Sequence, residues 1–229
     1  MKKTRLVETS LYYKIKKALS IKKSGETVIT SEEKAVFNLK YNNIDESSEI
    51  HVYINDILQD TDKYSLNYPD GSVRLYSPVP ANTKVSFTYS YCPVYIYEEG
   101  LNPKSDHFKY PAVAIYEDTS AQRPFELGNS KKETSSDWII EVWCEFGGER
   151  NDITDTILEM FDEEIEIIDY NLAFPTKRDG TLNEDFNYDN QIITYATCDS
   201  INCSKAGSLD IGIKPKYLSE ILINLKYIV

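Results

Sequence analysis

The residue types that most often carry chemistry are scarce in this chain of 229 residues. It contains two histidines, His51 and His107, and one close pair of cysteines, Cys198 and Cys203, spaced C-x4-C. Neither histidine lies near that pair in the sequence, so a zinc site from these residues would be atypical. A Ser–His or Cys–His nucleophile would have to depend on His107 alone, in a polar connector. We therefore predict no enzyme activity, no cofactor and no bound metal.

Motifs of nucleotide-binding and hydrolytic sites are absent from the sequence, and the carboxylates do not replace them. The chain has no G-x-x-x-x-G-K-[ST], G-x-G-x-x-G, G-x-S-x-G or H-E-x-x-H motif. Asp60, Asp62, Asp70 and the segment 179–189 could bind a cation weakly, but they do not have the spacing of a calcium loop. Because the chain has 37 acidic residues, most of them are expected on a solvated surface. The four cysteines are expected to be reduced structural thiols.

The charge is distributed unevenly along the chain, whose formal net charge is −12. Residues 1–23 hold eight basic residues against one acid, Glu8. Removing them from the totals of 25 basic and 37 acidic residues leaves 17 against 36 over residues 24–229, a balance of −19. This balance disfavours nucleic-acid binding by the body of the protein. No apolar run approaches the roughly 20 residues of a membrane helix, and none typical of a signal peptide is present, so we expect use without export or membrane binding.

The N-terminal segment predicts an amphipathic helix over residues 4–21, with Gly25 as a plausible stop. Its apolar side chains follow helical spacing: Leu6, Val7, Leu11, Ile15, Ala18 and Leu19. Lysines lie on the opposite face, among them Lys14, Lys16 and Lys17. These lysines form either a contact for a partner or a solvated face on an acidic protein.

Residues 25–100 have the period-two pattern of short strands and predict an inserted β-sandwich or barrel module. Residues 85–91 alternate apolar and polar side chains, which is typical of a half-buried antiparallel strand. The remaining residues, 1–24 and 101–229, are predicted to form an α+β core. This core would contain a mixed or antiparallel sheet flanked by helices.

Two strands separated by a loop open the main part of the predicted core. Residues 111–118 predict a buried strand, and residues 138–146 predict the strongest strand in the chain. Residues 119–137 between them predict a long loop rich in serine and lysine.

A helix is predicted over residues 152–168, capped by Asn151 or Asp152. Its face opposite the apolar stripe carries four acids: Glu159, Asp162, Glu163 and Glu166. Like charges at this spacing cost a few tenths of a kcal/mol each. We therefore expect a role other than helix stability for these carboxylates.

The C-terminal part of the chain predicts a loop and three strands. The loop covers residues 171–190, and a turn at 199–207 separates the strands QIITYATC and LDIGIK. The segment ILINLKYIV is predicted as the final strand, since Pro215 disfavours a helix leading into it.

The order of these elements resembles that of bacteriophage tail-terminator and neck proteins. The resemblance is carried by the N-terminal helix and three segments: Tyr110-Pro111-Ala112-Val113-Ala114-Ile115, Pro124-Phe125-Glu126-Leu127-Gly128 and Glu149-Arg150-Asn151-Asp152-Ile153. The module at 25–100 departs from the compact family pattern. This departure favours a connector or collar component over a plain tube terminator.

The resemblance implies a structural virion protein that forms a homo-oligomeric ring, commonly a hexamer, at the head-proximal end of the tail. Its partners would be its own copies, the tail tube or sheath, and the head–tail connector or neck proteins. Genomic DNA would pass through without sequence-specific binding, and the protein would be located in the virion neck after assembly in the host cytoplasm.

The resemblance also implies roles for the singled-out residues. The acidic helix face would line the lumen, where carboxylates repel DNA, or meet a basic neighbour. Exposure of these carboxylates to solvent on the outer wall is the alternative. The loop 119–137 would be a docking arm, with four candidate contact residues: Arg123, Phe125, Lys131 and Lys132.

Two other functions remain open on the sequence alone. The eighteen tyrosines of this β-rich chain also suit an adhesin or a carbohydrate-binding virion component, which an exposed cluster of stacked aromatic rings would favour. An enzyme of unrecognised type would need a deep pocket with converging carboxylates or His107.

Overall fold

The computed structural model describes residues 3–98, 108–124, 132–211 and 214–228. Strands account for 52% of the structure and helices for 18%, so the protein is mostly β. The chain divides into two compact units. The first unit comprises Met1–Leu19, Val94–Leu172 and Tyr188–Val229, and the second comprises Ser20–Pro93 and Ala173–Asn187.

The described residues form three α-helices and thirteen strands. The helices are α1 (Lys3–Ala18), α2 (Gly147–Met160) and α3 (Tyr188–Gln191). The first eight strands are β1 (Ile21–Ile29), β2 (Lys34–Asn38), β3 (His51–Ile54), β4 (Ile57–Leu58), β5 (Tyr64–Asn67), β6 (Ser72–Val79), β7 (Lys84–Tyr91) and β8 (Tyr95–Tyr97). The other five are β9 (Ala112–Pro124), β10 (Lys132–Cys144), β11 (Ile165–Ile168), β12 (Ile192–Ile211) and β13 (Lys214–Ile228).

The first unit is built on a six-stranded sheet in the order β11-β12-β13-β10-β9-β8. Neighbouring strands are antiparallel except β8 and β9, which run parallel. Trp138 and Ile140 of β10 pair with Ile223 and Ile221 of β13, and all four side chains are buried. These four side chains lie on one face of the sheet, because every second residue of a strand points to the same face.

The two longer helices lie against this buried face. α1 contributes Leu11 and Ile15, which are fully buried, and it packs against β8, β9 and β11. α2 packs against β10 and β13, and its Asp155 accepts a hydrogen bond from the Lys205 Nζ of β12 at 3.3 Å. The core of the first unit therefore lies between the helices and this face, which we call the helix side.

The second unit consists of two small sheets that share one hydrophobic core. Their strand orders are β1-β7-β3-β4 and β2-β6-β5. The core includes Phe87 from the first sheet and Phe37 from the second. The segment 173–187 joins this unit through Asn67, whose side chain donates a hydrogen bond to the carbonyl oxygen of Asp179 at 3.0 Å. Residues distant in sequence thus complete the unit.

The predicted helix over residues 152–168 is wrong at both ends. α2 begins before the predicted capping residues and ends at Met160, after which β11 pairs with β12. In β11 an exposed Glu166 lies between the buried side chains of Ile165 and Ile167. The strand partner, supplied by a distant part of the chain, overrides the local helical pattern.

Two segments predicted as loop or turn are strands. The described parts of residues 119–137 form the ends of β9 and β10, which pair as far as Pro124 and Lys132. Residues 199–207 lie inside β12, which pairs with β13 along most of its length. The polar composition of 118–123 and of 199–205 reflects exposure to solvent and not a change of direction, whereas Thr134 and Ser136 of β10 are polar but buried.

The N-terminal boundaries also differ from the prediction. α1 ends at Ala18, and β1 begins three residues later at Ile21. Gly25, the predicted stop, lies inside β1 with φ +68°, where the pairing of β1 with β7 is irregular. A glycine tolerates this left-handed conformation at a bulge. None of the described helices is long and apolar enough to cross a membrane.

Candidate interaction site

The three lysines proposed as a contact surface occupy three different environments. Lys14 Nζ donates a hydrogen bond to the backbone oxygen of Glu164 at 2.8 Å. Burial lowers the pKa of the Lys14 ammonium, and the nearby carboxylates of Glu163 and Glu166 oppose that shift. Lys16 is buried, and only Lys17 is exposed. The lysines therefore do not form one basic surface.

The four acids predicted on one helix face lie on three successive elements. Glu159 belongs to the last turn of α2, Asp162 and Glu163 follow the helix, and Glu166 is in β11. All four are exposed, and with Glu164 we call them the acidic turn. The structure places Lys14 beside this turn, so the basic and acidic groups singled out from the sequence meet within one unit.

Two of the four residues predicted to dock a partner, Arg123 and Lys132, lie near the ends of β9 and β10 that face the connection between these strands. Arg123 faces Glu133 on the neighbouring strand and donates two hydrogen bonds to its carboxylate, from Nε at 3.1 Å and from Nη2 at 2.8 Å. These bonds raise the pKa of Arg123 and lower the pKa of Glu133. Lys132 is exposed, whereas Phe125 and Lys131 lie outside the described residues.

A network at the base of this hairpin joins three strands. The Asp137 carboxylate accepts hydrogen bonds from Thr119 Oγ1 of β9 and from Asn224 Nδ2 of β13, both at 2.7 Å. These bonds lower the pKa of Asp137. The network links β9 and β10 to β13 at this level of the sheet, so this part of the sheet is an ordered surface.

The sheet of the first unit has open stretches on both of its outer strands. β8 pairs with β9 only along Ala112–Ala114, and β11 pairs with β12 only up to Ala196. Among the described residues, no strand pairs with the outer side of 115–124 in β9 or 197–205 in β12. We call these stretches the open β9 edge and the open β12 edge. Unpaired backbone groups of this kind are templates for pairing with another strand.

The open β12 edge has a bulge near its beginning, between Cys198 and Ser200, but its central part has few of the features that normally block such pairing. It contains no proline, and its two charged residues lie at the ends, where Asp199 pairs with Lys226 at 2.8 Å and Lys205 pairs with Asp155 at 3.3 Å. Between them, Ile201 is 40% exposed. Charges and prolines protect natural sheet edges, so the central part of this edge is suited to strand pairing.

Arg150 has a structural role that the sequence analysis did not assign. β12 carries a bulge between Lys205 and Ser208, opposite Leu218 of β13. Arg150 Nη1 donates hydrogen bonds to the carbonyl oxygens of Ala206 at 2.6 Å and Leu218 at 3.3 Å. The guanidinium thus pairs carbonyls at the point where the bulge interrupts the ladder.

The position of Arg150 on α2 is the sequence signal that was missed. It lies three and seven residues before Ile153 and Ile157, on the same stripe of the helix, and the residue is only 9% exposed. An arginine on a buried stripe requires hydrogen-bond partners. Their location on β12 and β13 could not be deduced from the helix alone.

Groups that could do chemistry do not converge in the described ranges. There, no group of three or more His, Cys, Asp or Glu residues is arranged to hold a metal ion. His51 Nε2 lies 3.7 Å from a carboxylate oxygen of Glu49, and His107 lies outside the described residues. Cys198 and Cys203 are free cysteines, and in the sheet they lie opposite two different residues of β13, Leu225 and Ile221.

The closest aromatic stack in the second unit is between two tyrosines of this chain. The rings of Tyr41 and Tyr91 lie 4.1 Å apart and 5° from parallel. Each ring therefore uses one face for the other tyrosine, which leaves only the outer faces for a sugar ring.

Comparisons of the chain with models of known protein families and with curated proteins give no match. The proposal below therefore depends on the geometry of the chain and on the resemblance in its sequence.

Proposed function

We propose that this chain is a structural protein of a tailed bacteriophage virion. In this proposal its copies form a ring, commonly a hexamer, at the head-proximal end of the tail, as a tail terminator or neck component. The ring joins the tail to the head connector and lets genomic DNA pass. Its function lies in the contacts among its copies and neighbours, and it needs no chemistry of its own.

The observation that carries the proposal is the presence of two open edges on opposite sides of one sheet. A head-to-tail contact needs two different surfaces on each copy, and repetition of that contact by rotation closes a ring. The open β9 edge and the open β12 edge are such a pair of surfaces. Pairing through backbone groups also suits a protein whose edges are largely polar.

The order of elements in the first unit supports the same assignment. α1, β9, β10 and α2 belong to one unit and pack on one sheet. These are the elements on which the sequence resemblance to terminator and neck proteins rests. The second unit, with its two small sheets, is proposed to contact a neighbouring layer such as the sheath or a collar.

The acidic turn is proposed to face the lumen of the ring. Its carboxylates are exposed, and Lys14 lies beside them with its Nζ hydrogen-bonded to the backbone oxygen of Glu164. Carboxylates along a channel repel the phosphates of DNA, so the DNA would slide without adhering. This role requires exposed acids at one place on the surface, and it does not require them to lie on one helix.

The proposal is tested by the native mass of the full chain and by electron microscopy of the particles. The protein is measured alone and after mixing with isolated phage tails that lack their head-proximal cap. We expect a closed ring, either free or only on the end of the tail. An acidic protein of similar mass serves as the control for non-specific attachment. A chain that forms no ring and never joins a tail contradicts the proposal.

A further inference from the structure

We propose that the copies in the ring are joined by backbone pairing between the open β9 edge of one copy and the open β12 edge of the next. The inference rests on the proposed ring, and it names the surfaces that close it. The partner at each edge is therefore a second copy of this chain, and each copy contributes one strand to each of two contacts.

The directions of the strands allow this pairing without inverting any copy. The four strands β12, β13, β10 and β9 are successively antiparallel, so β9 runs opposite to β12. In a ring whose axis runs along the strands, a neighbouring copy presents its β12 with the same direction as the first. Its β12 therefore lies antiparallel to β9, and the antiparallel order of the sheet continues across the contact.

The lengths of the two edges also match. Residues 115–124 provide ten positions, and the part of β12 that precedes the bulge at Lys205/Ser208, residues 197–205, provides nine, which is about 30 Å of strand at roughly 3.4 Å per residue. Each stretch also contains one irregularity near its beginning, at Asp118 in β9 and between Cys198 and Ser200 in β12. β8 flanks the beginning of β9, and β11 flanks the beginning of β12. In an antiparallel pair these two beginnings lie at opposite ends, so the contact is limited to the stretch between β8 and β11. At the end of this stretch the β12 of the neighbouring copy has to turn away from β8, and the bulge between Lys205 and Ser208 lies at that point.

The order of charges favours the same antiparallel pair. The open β9 edge has Glu117 and Asp118 near its beginning and Arg123 near its end, whereas the open β12 edge begins near Asp199 and ends at Lys205. Antiparallel pairing brings the acids of β9 towards Lys205 and brings Arg123 towards Asp199. Arg123, Asp199 and Lys205 each have an ion-pair partner within their own chain, so the contact between copies would extend these pairs and would not replace them. Opposite charges on neighbouring strands favour pairing.

A twofold contact between two β12 edges would give a similar order of charges but would leave the β9 edge of each copy open. Unpaired edges are a liability that assembled proteins cover. The head-to-tail contact covers both edges with one kind of interface, and we therefore favour it over the twofold contact.

Cysteine cross-linking of the isolated ring tests this contact. Cys198 and Cys203 are first replaced by serine, and Cys92 and Cys144 are buried. Ser120 and Ile201 lie near the middle of their respective edges, and both are on the helix side of the sheet. The combined variant Ser120→Cys and Ile201→Cys is then treated with a mild oxidant or a short bis-maleimide. Opposite residues of an antiparallel pair are within about 5.5 Å, which is within reach of a disulfide.

We expect a ladder of covalent dimers, trimers and larger chains on a denaturing gel, because each copy has a cysteine at both contacts. Each single variant has one reactive cysteine per chain and can give no more than a dimer. The matched control replaces Ser120→Cys by Ala121→Cys, whose side chain lies on the other face and is expected to give no ladder.

Three results would overturn the inference. Dimers from Ile201→Cys alone would indicate a twofold contact between β12 edges. An equal ladder from the Ala121→Cys control would indicate contact without strand pairing. A ring of unchanged mass that gives no cross-link in any variant would show that copies meet elsewhere, and the proposed ring would then stand without this contact. If no ring can be isolated alone or on tails, the proposed function itself has failed.

Discussion

Replacement of Arg150 by methionine is the most direct test of how the β12 bulge is stabilised. The residue is 9% exposed, and its Nη1 donates hydrogen bonds to the carbonyls of Ala206 at 2.6 Å and Leu218 at 3.3 Å. Methionine retains an unbranched apolar stem that can fill the site, but it has no donor. The substitution therefore separates the hydrogen bonds of the arginine from its packing.

The expected loss follows from the number and length of these bonds. A hydrogen bond to a charged group contributes about 1.5–3 kcal/mol, and removal of the donor leaves the carbonyls without it. If the 2.6 Å bond is counted near the upper end of this range and the 3.3 Å bond at the lower end, the loss is about 4 kcal/mol. At about 2–4 °C per kcal/mol for a chain of this length, Tm should fall by about 8–16 °C.

Tryptophan fluorescence during thermal and urea unfolding measures the loss of stability of the first unit. Both tryptophans of the chain, Trp138 and Trp143, lie in β10 of the first unit. The matched control is Arg178→Met, since Arg178 is exposed and its replacement should change the free energy of unfolding by less than about 0.5 kcal/mol. A loss of under about 1 kcal/mol for Arg150→Met would refute the assigned role of the guanidinium.

Three further predictions concern backbone strain, pH and thiol reactivity. Gly180→Ala should lower the free energy of unfolding by about 2–3 kcal/mol, measured by calorimetry, because φ at Gly180 is +83° and the new Cβ would lie 2.7 Å from the hydrogen-bonded Asn67 side chain. The control Gly25→Ala, where φ is +68° but the space around the new Cβ is open, should lower it by only about 1 kcal/mol. Burial, with Glu98 and Glu117 nearby, raises the pKa of Glu8 above that of an ordinary glutamate, so its charged form destabilises the native state as pH rises. Glu8→Gln should therefore raise Tm at pH 7 but not at pH 4, and equal shifts at the two pH values would contradict this. Maleimide labelling followed by mass spectrometry should modify exposed Cys203 in the native protein but not Cys144, because burial raises the pKa of Cys144 to about 12.

Elements with a strong local pattern were predicted from the sequence because their partners did not alter that pattern. The apolar stripe of α1 contains Leu11 and Ile15, and the structure confirms both a helix and the burial of these residues. The alternation in 138–146 likewise predicted a strand, which β10 confirms through Cys144. In both elements the buried face is one that a single helix or strand can form without information from the rest of the chain.

Elements that depend on distant partners were predicted incorrectly. Ile168 continues the helical stripe of Ile153 and Ile157, whereas Ile165 and Ile167 alternate with Glu166 as in a strand, and the pairing with β12 decides between the two. The described end of β9 is polar because residues 118–123 are exposed on both faces, and β10 beside it has polar residues even at the buried positions Thr134 and Ser136. Both segments therefore have the composition of a loop. The contact between Lys14 and Glu164 joins residues 150 positions apart, which no local pattern can predict.

The electrostatics of α2 favour the same end of the helix as the pairing of β11 with β12 does. A helix has a partial negative charge at its C-terminal end, so acids there are unfavourable, and the last turn of α2 contains no basic residue. Continuing the helix to residue 168 would have added Asp162, Glu163 and Glu166 to that end. Leaving the helix at Met160 moves these acids into a turn and a strand, beside Lys14. The like charges that would have weakened a longer helix are thereby spread over an exposed surface, where a repulsive role toward DNA requires only that they remain charged and accessible.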